Sequence, residues 1–156
     1  MGLVEPSPPE GTDFYYATLF YPPYIRKKLY ILEALRREIF LIPITCTDDS
    51  VRNAKLQWWM EEIDLIATGK PRHPLSHSLI TSNVELFAFK TAFAIFIQEI
   101  VMSRAKTNSE TFKDTQNRAA RIHGPIANLM LAVTSQKEAH GQDNNGELIA
   151  LIELSY

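Results

Sequence analysis

The sequence predicts an all-α protein, a helical bundle of about five or six helices. First, apolar residues recur at steps of three and four over several long segments, as they do on one face of a helix. Second, the sequence lacks the alternating apolar and polar runs that are typical of strands. At 156 residues the chain is long enough for one domain with a buried core. We assign residues 1–11 to an extended or disordered arm and residues 12–156 to a single helical domain.

The composition is that of an ordinary globular protein, with 46% hydrophobic and 22% charged residues. The net charge of −2 argues against a general nucleic-acid-binding role. The single cysteine, Cys46, cannot form an internal disulfide and fits a reducing compartment. Residues 1–10 contain neither a basic residue nor an apolar run, so we expect no signal or transit peptide and a cytoplasmic location.

The first long helix is predicted to begin at Pro22–Pro23 and to end before Pro43. A proline in the first turn gives up only an N–H that has no partner within the helix, whereas the ring of Pro43 disfavours helical geometry at the preceding residue. Between these limits one apolar face consists of Ile25, Leu29, Leu32, Leu35, Ile39 and Ile42. The connection to the next helix is short, so we expect the two helices to form a hairpin.

The second helix is predicted to begin within 47–50, where side-chain oxygens can cap it, and to stop at Gly69. One apolar stripe consists of Leu56, Trp59, Ile63 and Ile66. A second apolar side consists of Val51, Ala54, Trp58 and Leu65. Because a helix that is apolar on two sides is normally enclosed, we expect this one to be sandwiched inside the bundle. Its solvated face is predicted to contain Glu61, Glu62 and Asp64.

The segment 84–102 is strongly apolar, and we expect it to be the central buried helix. Lys90, Gln98 and Glu99 interrupt it, whereas a membrane span needs roughly 20 mostly apolar residues, so we predict no transmembrane segment. Its phenylalanines either form plain core or line a tunnel for an isoprenoid or another lipid chain.

One long helix and one short helix are predicted for the rest of the chain. The long helix should run from Ser109 to Ser135, with a kink at Gly124–Pro125 because Pro125 removes a backbone hydrogen bond. Its predicted inward face consists of Phe112, Ala119, Ile122, Ile126, Met130 and Val133. A polar loop over 136–146 and a last helix over 147–154 should follow.

Basic residues are concentrated on the first long helix, which carries Arg26, Lys27, Lys28, Arg36 and Arg37. They either bind a phosphate or an anionic lipid, or form a solvated face that is paired with Glu33 and Glu38. The spacing of Glu33 and Arg37 is favourable for an ion pair within a helix.

Aromatic residues and histidines offer further candidates. The pair Tyr15–Tyr16 either lines a ligand cavity or packs against the long helix. His73 and His77 lie four residues apart, but Pro74 between them is expected to start a helix that leaves His73 outside. No third ligand has suitable spacing, so no metal site is predicted.

Five short motifs occur in this order: Asp-Phe-Tyr-Tyr-Ala (13–17), Pro-Pro (22–23), Arg-Lys-Lys-Leu-Tyr (26–30), Leu-Gln-Trp-Trp (56–59) and Gly-Lys-Pro-Arg-His-Pro (69–74). Their order and spacing resemble the squalene/phytoene synthase family from Asp13 to Leu79. The resemblance implies a helical bundle of the isoprenoid-synthase type, truncated at its C-terminal end. The candidate ligand-binding residues are Tyr16, Arg36, Arg37, Trp58 and Gly124.

The sequence also departs from the pattern of that family. The family holds magnesium and a prenyl diphosphate with two aspartate-rich motifs, and the resemblance places the aspartates of the first motif at Phe40 and Ile44, neither of which can bind magnesium. The second motif is expected beyond the last residue of this chain. Asp13 replaces a serine that helps to hold the diphosphate, and Ala127 replaces a glycine beside the lipid cavity.

These departures predict a catalytically inactive squalene/phytoene synthase-like protein. It resembles the branch that includes a mitochondrial complex I assembly factor and its bacterial relatives. We expect a lipid-binding or protein-interaction module without catalytic residues, metal or cofactor, which forms a homo-oligomer or binds a partner protein. The alternative is a subunit or remnant of a squalene/phytoene-type prenyltransferase that uses magnesium. An unrelated helical scaffold is a third hypothesis.

Overall fold

The computed structural model describes residues 6–8, 10–103 and 111–135. Within these ranges the chain forms six helices and no strand, which confirms the predicted all-α class. The helices are α1 (Asp13–Thr18), α2 (Pro23–Thr45), α3 (Asp49–Ala67), α4 (Pro74–Thr81), α5 (Leu86–Ser103) and α6 (Phe112–Ser135). The predicted loop over 136–146 and the predicted last helix lie outside the described residues.

Helix α2 begins at the proline pair as predicted, with Pro23 in its first turn. The predicted break before Pro43 is wrong, because the helix continues to Thr45. Pro43 removes only the hydrogen bond to the carbonyl of Ile39, in the last turn of the helix. The N–H of Cys46 still donates to the carbonyl of Ile42 at 3.0 Å, so the helix closes normally beyond the proline.

Helix α3 follows after a short connection and packs against α2 as the predicted hairpin. The carboxylate of Asp48 caps it, accepting hydrogen bonds from the N–H groups of Ser50 at 2.7 Å and Val51 at 3.1 Å. At the other end Gly69 adopts a φ of +74°, and the N–H of Lys70 donates to the carbonyl of Leu65 at 2.8 Å. Both predicted boundaries are therefore confirmed.

The core lies between α2, α3, α5 and α6, whose apolar faces meet there. The residues predicted for the apolar face of α2 and for the main stripe of α3 are buried. On α5, the rings of Phe89 and Phe93 lie 4.5 Å apart and those of Phe93 and Phe96 lie 6.1 Å apart, all three fully enclosed. Complete burial of one such side chain stabilises a fold by about 1.5–3 kcal/mol.

The inward face of α6 is confirmed at its four predicted aliphatic and methionine positions, Ile122, Ile126, Met130 and Val133. Phe112, which was also predicted to point inward, is instead 79% exposed. Phe112 is the first residue of α6, so no preceding helical turn packs beside it to hold its side chain against the core.

Helix α5 was predicted to be the central buried helix, and it is buried on one face only. Its other face, which we call the α5 outer face, exposes Phe87 by 77%, Ile95 by 40%, Val101 by 51% and Met102 by 65%. Among the described residues α5 is the one helix long and apolar enough to cross a membrane, a test that core helices of soluble proteins also pass.

The second apolar side of α3 also lies partly at the surface, where Val51 is 47% exposed and Ala54 is exposed. The prediction that α3 is sandwiched is therefore wrong on this side. Hydrophobicity on two sides of a helix does not by itself specify a packing partner for each side.

Helix α6 runs through Gly124 and Pro125 without a break, and the predicted kink remains a prediction. A methyl group added at Gly124 would meet no atom within 4 Å beyond its chain neighbours and its own helix backbone. Glycine in a helix interior costs conformational entropy relative to alanine. The position is open towards the rest of the protein, but the ring of Pro125 crowds a Cβ on the helical residue that precedes it.

We expect Gly124→Ala to change the free energy of unfolding by less than about 0.5 kcal/mol, because the helix preference of alanine is offset by crowding of its Cβ against the ring of Pro125. Gly69→Ala is the control and should lower it by about 1 kcal/mol or more, because its left-handed backbone disfavours a side chain. Urea unfolding followed by circular dichroism measures both variants. Equal destabilisation by the two substitutions would contradict the open environment of Gly124.

Candidate functional site

An ion pair on α2 joins two residues one turn apart. The guanidinium of Arg36 donates to both carboxylate oxygens of Glu33 at 2.7 Å, and the side chains are only 11% and 13% exposed. The predicted pairing of Glu33 with Arg37 is thus replaced by a pairing with Arg36, whose planar fork matches a carboxylate in two places. Arg37 is exposed. The positive charge of Arg36 is balanced within its own helix.

Arg36 lies beside an aromatic cluster between α2 and α6. The ring of His123 lies 5.1 Å from that of Phe40 and 6.1 Å from that of Phe96, and the guanidinium carbon of Arg36 lies 5.9 Å from the centre of the Phe40 ring. We call Glu33, Arg36, Phe40, Phe96 and His123 the α2–α6 cluster. The cluster brings a charged group of α2 beside aromatic rings of the core.

The imidazole of His123 is neutral at neutral pH. Burial, and secondly the charge of Arg36, lower the pKa of His123 from 6.5 to about 4. Between these two values the unfolded chain binds a proton that the folded protein does not. The contribution of His123 to stability is therefore complete above its ordinary pKa and decreases as the pH falls from 6.5 towards 4.

A second polar group lies where α3 meets α4. The carboxylate of Glu62, which is fully buried, accepts hydrogen bonds from the backbone N–H groups of Arg72 and His73 at 2.8 Å each and from Nε of Arg72 at 3.3 Å. Burial alone would raise the pKa of Glu62, but these hydrogen bonds outweigh it and the pKa is lowered. Glu62 is a structural anion, and its predicted place on a solvated face is wrong.

Aromatic rings surround the segment that Glu62 holds. Trp58 and Trp59 pack edge to face at 5.2 Å, and the ring of His73 lies 5.0 Å from Trp59 and 6.1 Å from Trp58. The guanidinium of Arg72 lies 5.1 Å from the centre of a Trp58 ring, within the range of a cation–π contact. Trp58 therefore already has a cationic partner from its own chain.

His73 connects this junction to α2. It is the N-cap of α4, outside the helix as predicted, and its Nδ1 accepts the N–H of Leu75 at 3.3 Å. Its Nε2 lies 3.4 Å from the carboxylate of Glu38. His77 is exposed. In the described part of the chain no group of three or more histidine, cysteine or acidic side chains is arranged to hold a metal ion.

The five predicted ligand-binding residues lie in different surroundings. Arg36 and Gly124 belong to the region between α2 and α6, where Gly124 directly follows His123 and is half-buried. Trp58 lies at the α3–α4 junction, Arg37 is exposed, and Tyr16 is 56% exposed on α1. Their ligand-binding role stays a prediction.

Two buried polar residues, Glu62 and His123, escaped the sequence-based prediction. Glu62 lies three residues after Trp59 and four before Ile66, so its spacing matches the buried stripe. His123 is likewise three residues before Ile126 and seven before Met130. Helical spacing would have identified both as polar residues on an apolar face.

We expect Glu62→Gln to lower the free energy of unfolding at pH 7 by about 2 kcal/mol, because charge-assisted hydrogen bonds are replaced and an amide group is placed among N–H donors. The lowered pKa of Glu62 means that its stabilisation is present above the ordinary carboxyl pKa and is lost as the pH falls through the lowered one. The difference between wild type and variant should therefore narrow in acid.

The neighbouring Glu61→Gln is the matched control. Glu61 is 56% exposed and lies 3.7 Å from Arg72, so its loss should change stability by only about 0.5 kcal/mol. Urea unfolding at neutral and acid pH measures both variants. The structural role assigned to Glu62 is contradicted if the two substitutions have the same effect.

Comparison with known proteins gives one match. The squalene/phytoene synthase family model matches residues 8–151, which is most of the chain. Searches of curated proteins and of solved structures returned no significant match.

Proposed function

Because this chain belongs to the squalene/phytoene synthase family, we propose that it uses the family's helical scaffold for protein interaction and does not itself transfer prenyl groups. The α2–α6 cluster is the observation that carries this proposal. In this cluster Arg36 is paired with Glu33, and Phe40 packs against His123.

Prenyl transfer requires a bond between carbon and diphosphate to ionise, and cations must neutralise the leaving group. Arg36 already has its charge balanced by Glu33. Phe40 packs on His123, and Ile44 is 64% exposed to solvent. Where the resemblance expects two carboxylates, this chain has one partly buried aromatic side chain that packs against the core and one apolar side chain at the surface.

The nearest paired carboxylates, Asp48 and Asp49, are engaged elsewhere. Asp48 caps α3 through the N–H groups of Ser50 and Val51, and Asp49 forms an ion pair with Arg52 on the same helix. These contacts give both aspartates a structural explanation that does not involve a magnesium ion.

We expect the purified protein, incubated with magnesium and farnesyl or geranylgeranyl diphosphate, to release no pyrophosphate above a protein-free control. A squalene synthase assayed in parallel serves as the positive control. Turnover that is abolished by Asp48→Ala/Asp49→Ala would contradict the proposal and identify those aspartates as the motif. Turnover that appears only with an added partner protein would support the alternative, a prenyltransferase subunit.

For the interaction we propose a second copy of this chain as the partner, bound through the α5 outer face. The four exposed apolar side chains of that face lie on one helix, and contiguous apolar surface of this kind marks interfaces. Lys90 of the same helix is paired with Asp64 at 2.9 Å, so its charge is compensated within the protein. A self-complementary contact about a two-fold axis would bring two copies of this face together.

We expect a homodimer at micromolar concentration in size-exclusion chromatography with light scattering, and we expect Phe87→Glu to weaken it at least tenfold. Phe20→Glu is the matched control, because Phe20 is 85% exposed but belongs to another surface. A wild-type protein that remains monomeric throughout a dilution series rules out this partner.

A further inference from the structure

The α5 outer face carries a row of residues at the spacing that is typical of a contact between two helices. Phe87, Thr91, Ala94, Gln98 and Val101 follow one another at alternate steps of four and three residues along α5. Two packed helices meet along residues that recur in this way. Ala94 is half-buried and the other four residues are exposed, so the row runs along the uncovered side of the helix.

The opposite side of α5 is held in the core. Phe89, Phe93 and Phe96 are fully enclosed there, and Ile100 is also buried. Because protein interiors are close-packed, these contacts fix which side of the helix points outwards. The row is therefore presented to solvent in a fixed orientation, along a helix of 18 residues that is about 27 Å long.

The uncovered side of α5 has a symmetric pattern about the point midway between Ala94 and Ile95. If a second α5 runs in the opposite direction, a two-fold axis through that point brings Ala94 of one copy level with Ile95 of the other. The other pairs that come level are Phe87 with Met102, Ala88 with Val101, and Thr91 with Gln98. Apolar side chains thus lie level with apolar ones, and the amide of the glutamine can donate to the hydroxyl oxygen of the threonine.

The charges of α5 favour the antiparallel direction. The helix contains one cation, Lys90, and one carboxylate, Glu99, at equal distances from the centre of the pattern. In an antiparallel pair the ammonium of each copy lies level with the carboxylate of the other, whereas in a parallel pair each charge lies level with its own kind. Asp64 pairs with Lys90 and Arg121 with Glu99, but the two side chains remain 47% and 26% exposed, so their fields reach the facing copy. The helix dipoles add to this preference, because antiparallel dipoles attract.

We propose that two copies of this chain join through an antiparallel pair of α5 helices, with the two-fold axis between Ala94 and Ile95. This inference rests on the proposed contact through the α5 outer face and adds its direction and register. The small side chains of Thr91 and Ala94 allow the two helices to approach closely. Phe87 of one copy covers Met102 of the other, which removes the two most exposed apolar side chains of the face from water.

Disulfide cross-linking between cysteine variants of the full chain tests the register. Cys46 is first replaced by serine, so that each variant carries a single thiol. Thr91→Cys mixed with Gln98→Cys, reduced together and then oxidised, should form roughly tenfold more disulfide-linked dimer than either variant alone. Two copies of Thr91 would be seven residues apart along the proposed pair, about 10 Å, which is too far for a disulfide. Mass spectrometry identifies the joined peptides.

Phe20→Cys mixed with Thr91→Cys is the control for random collisions, because Phe20 is 85% exposed on another surface. Equal cross-linking in this control and in the mixture of Thr91→Cys with Gln98→Cys overturns the proposal. Stronger linkage of Thr91→Cys to itself also overturns it, since a parallel pair gives that result. Light scattering on the reduced variants separates the two proposals: a monomer removes the α5 contact altogether, whereas a dimer with the wrong linkage contradicts only the antiparallel register. Circular dichroism verifies that the variants are folded.

Discussion

The buried carboxylate of Glu62 is the constraint on which the arrangement of α2, α3 and α4 depends. The carboxylate accepts hydrogen bonds from the backbone N–H groups of Arg72 and His73, and these bonds fix the segment between α3 and α4 on one face of α3. A fully buried anion is tolerated in a fold only if its oxygens are satisfied in this way. The same hydrogen bonds place the ring of His73 against Trp59 and its Nε2 near Glu38 of α2. One side chain thereby sets the contacts between three helices.

Most of the fold could be predicted because the start and the buried face of a helix depend on residues that are close together in the sequence. Helical periodicity identified the buried faces of α2 and α3, and a proline pair and an aspartate cap marked where those helices begin. Burial on the outer sides of α3 and α5 could not be predicted in this way. The sequence shows that several sides of such a helix are apolar. Which of these sides is covered depends on the positions of the other helices.

The candidate site was harder to predict because it depends on the choice between nearby partners. Glu33 has basic residues both three and four positions away, and the sequence does not distinguish them. The structure selects Arg36, since the half-buried position favours the planar, two-point pairing, and this choice balances the charge of Arg36. The contact of His123 with Phe40 could not be predicted either, because it is tertiary packing that brings α6 against α2.

The proposed loss of prenyl transfer and the proposed contact through the α5 outer face are connected by one physical argument. A site for a diphosphate must keep cations and carboxylates unpaired until the ligand arrives, which reduces the stability of the free protein. In the α2–α6 cluster the ion pair is internal and the rings of Phe40 and Phe96 pack against a neutral imidazole, so this region stabilises the bundle. Apolar side chains that are available to a partner lie on the outside, on the α5 outer face. An internally paired interior and an exposed apolar face on α5 are the features on which the proposed contact with a second copy of the chain rests.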